Sequence, residues 1–206
     1  MLYALSGTNT LKIPEGVKIL KMYSLGTTDA SKVTIPASVR KIEGNAFHVS
    51  YGLHDSNKEI KNVTISKKNK VYAKDGQCIY HKKEKTLSVA IPDDKRELVI
   101  SEKVEKLTPD YNLVNCRSRT SGIKKIVLPK TLKCVEAKAF YKFGGGSLLY
   151  FTAKKPPKTI VPKDHDPSWA VLGIPDRVYV PKESAKAYKK WLKKYDEYDK
   201  YGFRTY

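Results

Sequence analysis

A short apolar strand that ends at a proline recurs along the chain, and this repeat limits the possible folds more than any other feature. Its clearest copy is the stretch KVTIPASVRKIEGNAF, in which Val33-Thr34-Ile35 forms the strand and Pro36 ends it. Proline cannot donate a hydrogen bond to a neighbouring strand, so the segment stops there. Seven triplets follow this pattern or a variant of it: Leu11-Lys12-Ile13, Val33-Thr34-Ile35, Val63-Thr64-Ile65, Leu98-Val99-Ile100, Ile126-Val127-Leu128, Leu149-Tyr150-Phe151 and Val178-Tyr179-Val180.

The triplets recur roughly every 20–35 residues, which indicates a solenoid of stacked coils. One such strand is too short to bury a core, whereas strands stacked side by side form a parallel sheet. The outer members of each triplet then face inward, and the middle member faces outward. A second apolar pair follows four of the triplets with the same three-residue step: Val17/Leu20, Val39/Ile42, Val104/Leu107 and Leu132/Val135.

The repeat register predicts which side chains fill the coils. Ala46-Phe47 returns as Ala139-Phe140, where the aromatic ring would plug the far side of a coil. The segment 108–121 keeps no such pair, and Tyr111 and Leu113 are its nearest substitutes. Thr34 and Thr64 are predicted to point outward. The residues predicted to be buried are Ile35, Phe47, Ile65, Leu128 and Phe140.

The two complete copies, IPASVRKIEGNAF and LPKTLKCVEAKAF, resemble the BspA-like leucine-rich repeat of bacterial surface proteins, and the resemblance extends over nearly the whole chain. It implies a mainly β leucine-rich-repeat solenoid with short parallel strands. Residues 71–91 are similar to the β-hairpin insertion common in this family, with a turn at Asp75-Gly76 and strands at Cys78-Ile79-Tyr80 and Leu87–Ile91. The range 1–206 is then a single leucine-rich-repeat domain, expected to be a mature form or fragment whose targeting segment is absent.

The hydrophobic pattern changes after Pro181. Tyr188, Trp191, Leu192 and Tyr195 follow the spacing of one helix face. An amphipathic helix over 182–195 would seal the open end of the last coil, as solenoids require. A helix that binds a partner is the alternative.

The chain is strongly basic. Its 206 residues include 40 Lys and Arg against 21 Asp and Glu, a net charge of +19. Such a charge favours anionic partners, although lysines that only solubilise a large surface would give the same balance. The sequence contains no apolar run long enough to cross a membrane and no dedicated nucleic-acid motif. Candidate polyanion-binding residues lie on the second face of the predicted helix: Lys186, Lys189, Lys190 and Lys193.

No group of residues indicates an active site. The four histidines are scattered, and Asp164-His165-Asp166 lies in a polar loop without a second histidine nearby. Cys78, Cys116 and Cys134 form neither a metal-binding spacing nor an even set for disulfides. We therefore expect no catalytic residues, no metal and no cofactor.

The middle residues of the strands are the candidate ligand-binding residues. Val99, Val127, Tyr150 and Tyr179 would form an exposed apolar and aromatic row, of the kind that binds proteins and glycans. A loop or the terminal helix covering this row is the alternative. The resemblance implies an adhesion module, extracellular or at the cell surface, which binds a host or cell-surface protein or glycan. We expect this module to be monomeric and, because no catalytic group is recognisable, non-enzymatic. A polyanion binder, for a sulfated glycan, nucleic acid or cell-wall polymer, is the competing hypothesis.

Overall fold

The computed structural model describes residues 9–26, 28, 30–47, 60–114, 123–143, 146–164, 171–173, 177–195 and 202–206. In this part of the chain nearly all regular structure is short strands. In chain order they are β1 (Thr10–Lys12), β2 (Ile19–Leu20), β3 (Lys32–Ile35), β4 (Lys41–Ile42), β5 (Asn62–Ile65), β6 (Tyr72–Asp75), β7 (Cys78–His81), β8 (Leu87–Ala90), β9 (Glu97–Val99), β10 (Lys106–Leu107), β11 (Asn112–Leu113), β12 (Lys125–Leu128), β13 (Cys134–Glu136), β14 (Leu148–Phe151), β15 (Lys158–Ile160), β16 (Arg177–Val180) and β17 (Gly202–Thr205).

The predicted triplets stack into parallel sheets in which equivalent positions of successive coils lie opposite each other. In the first sheet, ordered β1-β3-β5, Val33 pairs with Leu11 and with Val63. In the large sheet, ordered β9-β12-β14-β16-β17, Ile126 pairs with Leu98. The second apolar pairs form a further row of parallel strands, β2-β4 and β10-β13-β15. The predicted β-solenoid is therefore confirmed.

Side chains in the turns after the strands join neighbouring coils. The backbone N–H of Ala37 donates to the Glu15 carboxylate one coil earlier, at 3.1 Å. The Glu102 carboxylate accepts in the same way from the N–H groups of Lys130 and Thr131, at 3.1 and 3.2 Å. Turn N–H groups have no strand partner, so these acceptors satisfy them and fix the stacking of the coils.

The interior is filled by the apolar rows and by the predicted aromatic plugs. Ile35 and Leu128 are buried in the rows, and Phe47 and Phe140 are buried opposite them. Tyr111 fills the coil that lacks an Ala-Phe pair, and its side chain is fully buried. Four of the five predicted core residues are thus confirmed.

The prediction that Ile65 is buried is wrong, because its side chain is only half-buried. Ile65 is the last residue of β5, next to the exposed turn at Lys67 and Lys68, so its side chain lies at the margin of the core. Thr34 and Thr64 are half-exposed on the outward side of the same sheet, where the Thr64 hydroxyl donates to the Thr34 hydroxyl at 3.1 Å.

The expected hairpin is present and has a third strand. β7 pairs in antiparallel fashion with β8, as predicted, and also with β6. Gly76 has a φ of +55°, a left-handed conformation that glycine adopts without strain, in the turn between β6 and β7. This unit lies between coils, and β5 and β9 belong to separate sheets. One continuous parallel sheet, predicted from the repeats, is therefore wrong: the inserted strands separate the triplets into two sheets.

The predicted C-terminal helix is confirmed as α1 (Ala185–Lys194). Tyr188, Trp191 and Leu192 are buried, and the Tyr188 and Trp191 rings lie 5.0 and 5.6 Å from the Phe151 ring. The Trp191 indole N–H donates to the Thr159 hydroxyl at 2.9 Å. The helix therefore closes the last coil of the core.

β17 was not predicted, and it pairs in parallel with β16 as the fifth strand of the large sheet.

Candidate ligand-binding face

The four predicted binding residues lie in one row across the large sheet. Val99 pairs with Val127, Val127 with Tyr150, and Tyr150 with Tyr179. Arg204 of β17 continues the row beside Tyr179. We call this outward side of the large sheet the outer face. Alternation along the strands places the middle residues there and their apolar neighbours in the core.

The side chains of this row are accessible in the described part of the chain. Val99 is 54% exposed, Arg204 is exposed, and Val127, Tyr150 and Tyr179 are half-buried beside one another. The alternative that α1 covers the row is wrong. Tyr188 and Trp191 of α1 pack on Phe151, whose side chain points into the core, so the helix lies on the other side of the sheet.

Tyr150 and Tyr179 form the centre of the outer face. Their rings are stacked, with centroids 4.4 Å apart and planes inclined by 8°. This separation is close to the spacing of about 4.8 Å between neighbouring strands, so the rings stand side by side along the row. Each ring restricts the rotation of the other, and the pair therefore forms a rigid contact surface.

A second row of outward residues runs beside the first, two positions earlier in each strand. The Lys125 ammonium lies 5.5 Å from the centroid of the Tyr150 ring and 3.7 Å from the Glu97 carboxylate. Lys125 is thus partly neutralised by Glu97. Leu148 is half-buried and Arg177 is exposed in the same row. The outer face combines aromatic, aliphatic and basic groups.

Tyr206 extends the aromatic surface, and sequence reasoning missed it together with Arg204. Its hydroxyl donates to the carbonyl oxygen of Phe151 at 2.9 Å, and its ring centroid lies 5.9 Å from that of Tyr150. Partial burial raises the pKa of Tyr206 above the ordinary value for a tyrosine. The signal that could have found both residues is the aromatic and β-branched content of GFRTY, which favours one more strand.

The four predicted polyanion-binding lysines are all exposed on α1. The Lys189 ammonium also lies 5.5 Å from the centroid of the Phe203 ring, at the end of the core. Because α1 and the outer face lie on opposite sides of the large sheet, the structure does not bring the lysines and the tyrosine row into one site.

The described residues contain no group that indicates catalysis. Among them, no three His, Cys, Asp or Glu side chains lie close enough together to hold a metal ion. Cys78 is buried, and burial raises the pKa of its thiol to about 11, which opposes nucleophilic reactivity. Cys116, His165 and Asp166 lie outside the described residues. No helix in the described part of the chain is long and apolar enough to cross a membrane.

Comparison with known families agrees with this coil geometry. The family model described as BspA type leucine rich repeat region, six copies, matches residues 2–75. Residues 2–75 therefore carry BspA-type leucine-rich repeats. Beyond residue 75 the same coil continues, because the β12 triplet and its second pair repeat the geometry of β3 and β4.

Two solved structures are similar to the repeat chain. A leucine-rich repeat protein from Eubacterium ventriosum shares 14% identity and a TM-score of 0.45, over 96% of this chain and 54% of that one. The pneumococcal vaccine antigen PcpA shares 12% identity and a TM-score of 0.39, over 96% of this chain and 67% of that one. The chain thus spans about half the length of the first. No curated protein matches it in sequence.

Proposed function

We propose that the chain is a non-enzymatic adhesion module, at the cell surface or secreted, which binds a protein or glycan ligand through the outer face. The stacked pair of Tyr150 and Tyr179 carries this proposal, because it is an accessible aromatic surface on a regular sheet. Tyrosine rings bury a large area at a small entropic cost, and they are enriched among the residues that dominate binding energy. The surface location rests on the BspA-type repeats.

The outer face is suited to binding because its shape is fixed before a ligand arrives. Four parallel strand pairs hold its backbone, and the ring stack limits the side-chain rotamers of its central residues. A rigid surface loses less conformational entropy on binding than a mobile one, so more of the contact energy becomes affinity. We expect a monomer to be sufficient for this binding.

The proposal is tested on an array of purified extracellular-matrix proteins and oligosaccharides. Wild-type protein should bind at least one of them at physiological salt, and the double variant Tyr150→Ala, Tyr179→Ala should lose that binding. The variant Thr34→Ala, Thr64→Ala is the matched control, because it truncates paired outward residues on the first sheet. Binding that survives the tyrosine variant, or that the threonine variant also abolishes, would contradict a role for the outer face.

Electrostatic binding of a polyanion is the second candidate function. It is favoured by the net charge of +19 and by the four exposed lysines of α1. Heparin is a suitable probe, and the variant Lys186→Glu, Lys190→Glu should weaken its binding more than the tyrosine variant does. If the wild type and the lysine variant bind heparin with equal affinity, α1 is excluded as the heparin-binding site.

A further inference from the structure

The orientation of the tyrosine rings restricts the kind of ligand that the outer face can take. β12 and β16 flank β14 on opposite sides, so Lys125 and Tyr179 cover opposite faces of the Tyr150 ring. The ring of Tyr179 is covered by Tyr150 on one side and has Arg204 as its strand neighbour on the other. The ring faces therefore point along the row, while the hydroxyls and the ring edges that Tyr206 leaves uncovered point to solvent.

This orientation does not suit a sugar. A sugar ring binds an aromatic side chain by placing its C–H groups on an open ring face, where the π electrons are concentrated. Both faces of Tyr150 are already occupied, by an ammonium group and by a second ring. Exposed tyrosine hydroxyls can instead form hydrogen bonds with the peptide groups of a polypeptide, and the ring edges can contact its apolar side chains.

The charges of the outer face restrict the ligand further. Lys125 is paired with Glu97, whereas Arg177 and Arg204 are exposed on neighbouring strands. Arg204 pairs with Tyr179, two positions beyond Arg177, so the two arginines are diagonal neighbours on the same side of the sheet. Diagonal neighbours on a sheet lie on the order of 7 Å apart.

Alternate residues of an extended chain are separated by a similar distance, about 7 Å, and point to the same side. Two carboxylates at positions i and i+2 of an extended segment can therefore each meet one arginine. Arginine binds carboxylates through two parallel hydrogen bonds, which adds orientation as well as energy. We propose that the ligand of the outer face is an extended acidic segment of a partner protein, with carboxylates at alternate positions beside an apolar residue. This inference rests on the proposed binding function of the outer face.

A display library of random twelve-residue peptides tests the inference. Selection against the wild-type protein should enrich peptides with Asp or Glu at alternate positions. The variant Arg177→Gln, Arg204→Gln keeps both tyrosines and should bind the enriched peptides at least about tenfold more weakly. The matched control is Lys67→Gln, Lys68→Gln, which removes the same charge from two exposed lysines in the turn after β5 and should bind as wild type does.

The inference is overturned if selection enriches no acidic peptides, or if the arginine variant binds the enriched peptides as tightly as wild type does. If an array oligosaccharide binds in a way that depends on the two tyrosines, and no acidic peptide is enriched, the acidic segment is rejected as the ligand but the outer face remains the binding site. Dimerisation of the wild type that Tyr150→Ala abolishes would assign the face to a second copy of the chain. If neither peptides nor array ligands depend on the tyrosines, the proposed function fails as well.

Discussion

The side-chain amide of Gln77 takes the place of a strand beside Val99. The Val99 N–H donates to Gln77 Oε1 at 2.7 Å, and Gln77 Nε2 donates to the carbonyl oxygen of Glu97 at 2.9 Å. A strand of a preceding coil would otherwise form hydrogen bonds with these two backbone groups. The amide thus terminates the large sheet at β9 and holds the first residue of the candidate binding row.

Replacing Gln77 should loosen this edge of the sheet. Gln77→Leu removes both hydrogen bonds, so we expect a loss of about 1–2 kcal/mol in the free energy of unfolding. Hydrogen exchange should show lower protection of the Val99 amide. Gln77→Glu is the matched control, because its carboxylate still accepts from Val99 and should keep that amide protected. Unchanged exchange at Val99 in Gln77→Leu would contradict this account of the edge.

Two neighbouring residues of one apolar row should differ in their contribution to stability. Ile35 and Ile65 pair directly, but Ile35 is fully buried and Ile65 is half-buried. Ile35→Ala should cost about 2–5 kcal/mol because it leaves a cavity, and Ile65→Ala should cost roughly half as much. Chemical denaturation measures both values, with Thr34→Ala as a nearly neutral control. Equal losses at the two isoleucines would mean that Ile65 is buried as completely as Ile35.

The strand triplets and aromatic plugs could be predicted because the same sequence pattern recurs several times along the chain. Alternation within a triplet fixes which side chains point inward, and this local rule also placed Tyr150 and Tyr179 on the outer face. The separation into two sheets could not be predicted, because it depends on how the inserted strands pack between the coils, which the repeat pattern does not specify. Asn69 is similar: its buried amide donates to the carbonyl oxygens of Pro36 and Val39, at 3.0 and 2.9 Å, across a coil.

The C-terminal strand was missed for a different reason. β17 is a single short segment outside the repeat, and its pairing with β16 spans the helix between them. Arg204 and Tyr206 therefore entered the candidate site only through tertiary structure. That the chain forms one domain from 1 to 206 stays a prediction.

The C-terminal helix should stabilise the solenoid through its buried face. Trp191→Ala removes a ring that packs on Phe151 and a hydrogen bond to Thr159, so we expect a loss of about 3–5 kcal/mol. Lys190→Ala, on the exposed side of the same helix, should change the free energy of unfolding little.

Deleting everything after Pro181 should cause aggregation or loss of cooperative unfolding. A truncated chain that stays monomeric with unchanged melting would show that the helix is dispensable for folding.

The buried thiol of Cys78 should make the fold sensitive to alkaline pH. Burial raises its pKa from 9.0 to about 11, so the thiol binds its proton more tightly in the folded state. Its contribution to stability is fully present below about pH 9 and is lost as the pH rises towards 11. By pH 10 the linked loss is about 1 kcal/mol. Cys78→Ala should lack this component, and an identical pH dependence of unfolding in the variant would contradict it.

Salt dependence of binding tests the central claim most directly. The measurement is the affinity for the tightest ligand on the protein and glycan array, from low to physiological salt, for three proteins: wild type, Tyr150→Ala with Tyr179→Ala, and Lys186→Glu with Lys190→Glu. Binding through the outer face predicts affinity that persists at physiological salt, disappears in the tyrosine variant and survives in the lysine variant. A steep linear fall of log affinity with log salt, unchanged binding by the tyrosine variant and loss in the lysine variant would contradict it and establish the polyanion binder instead.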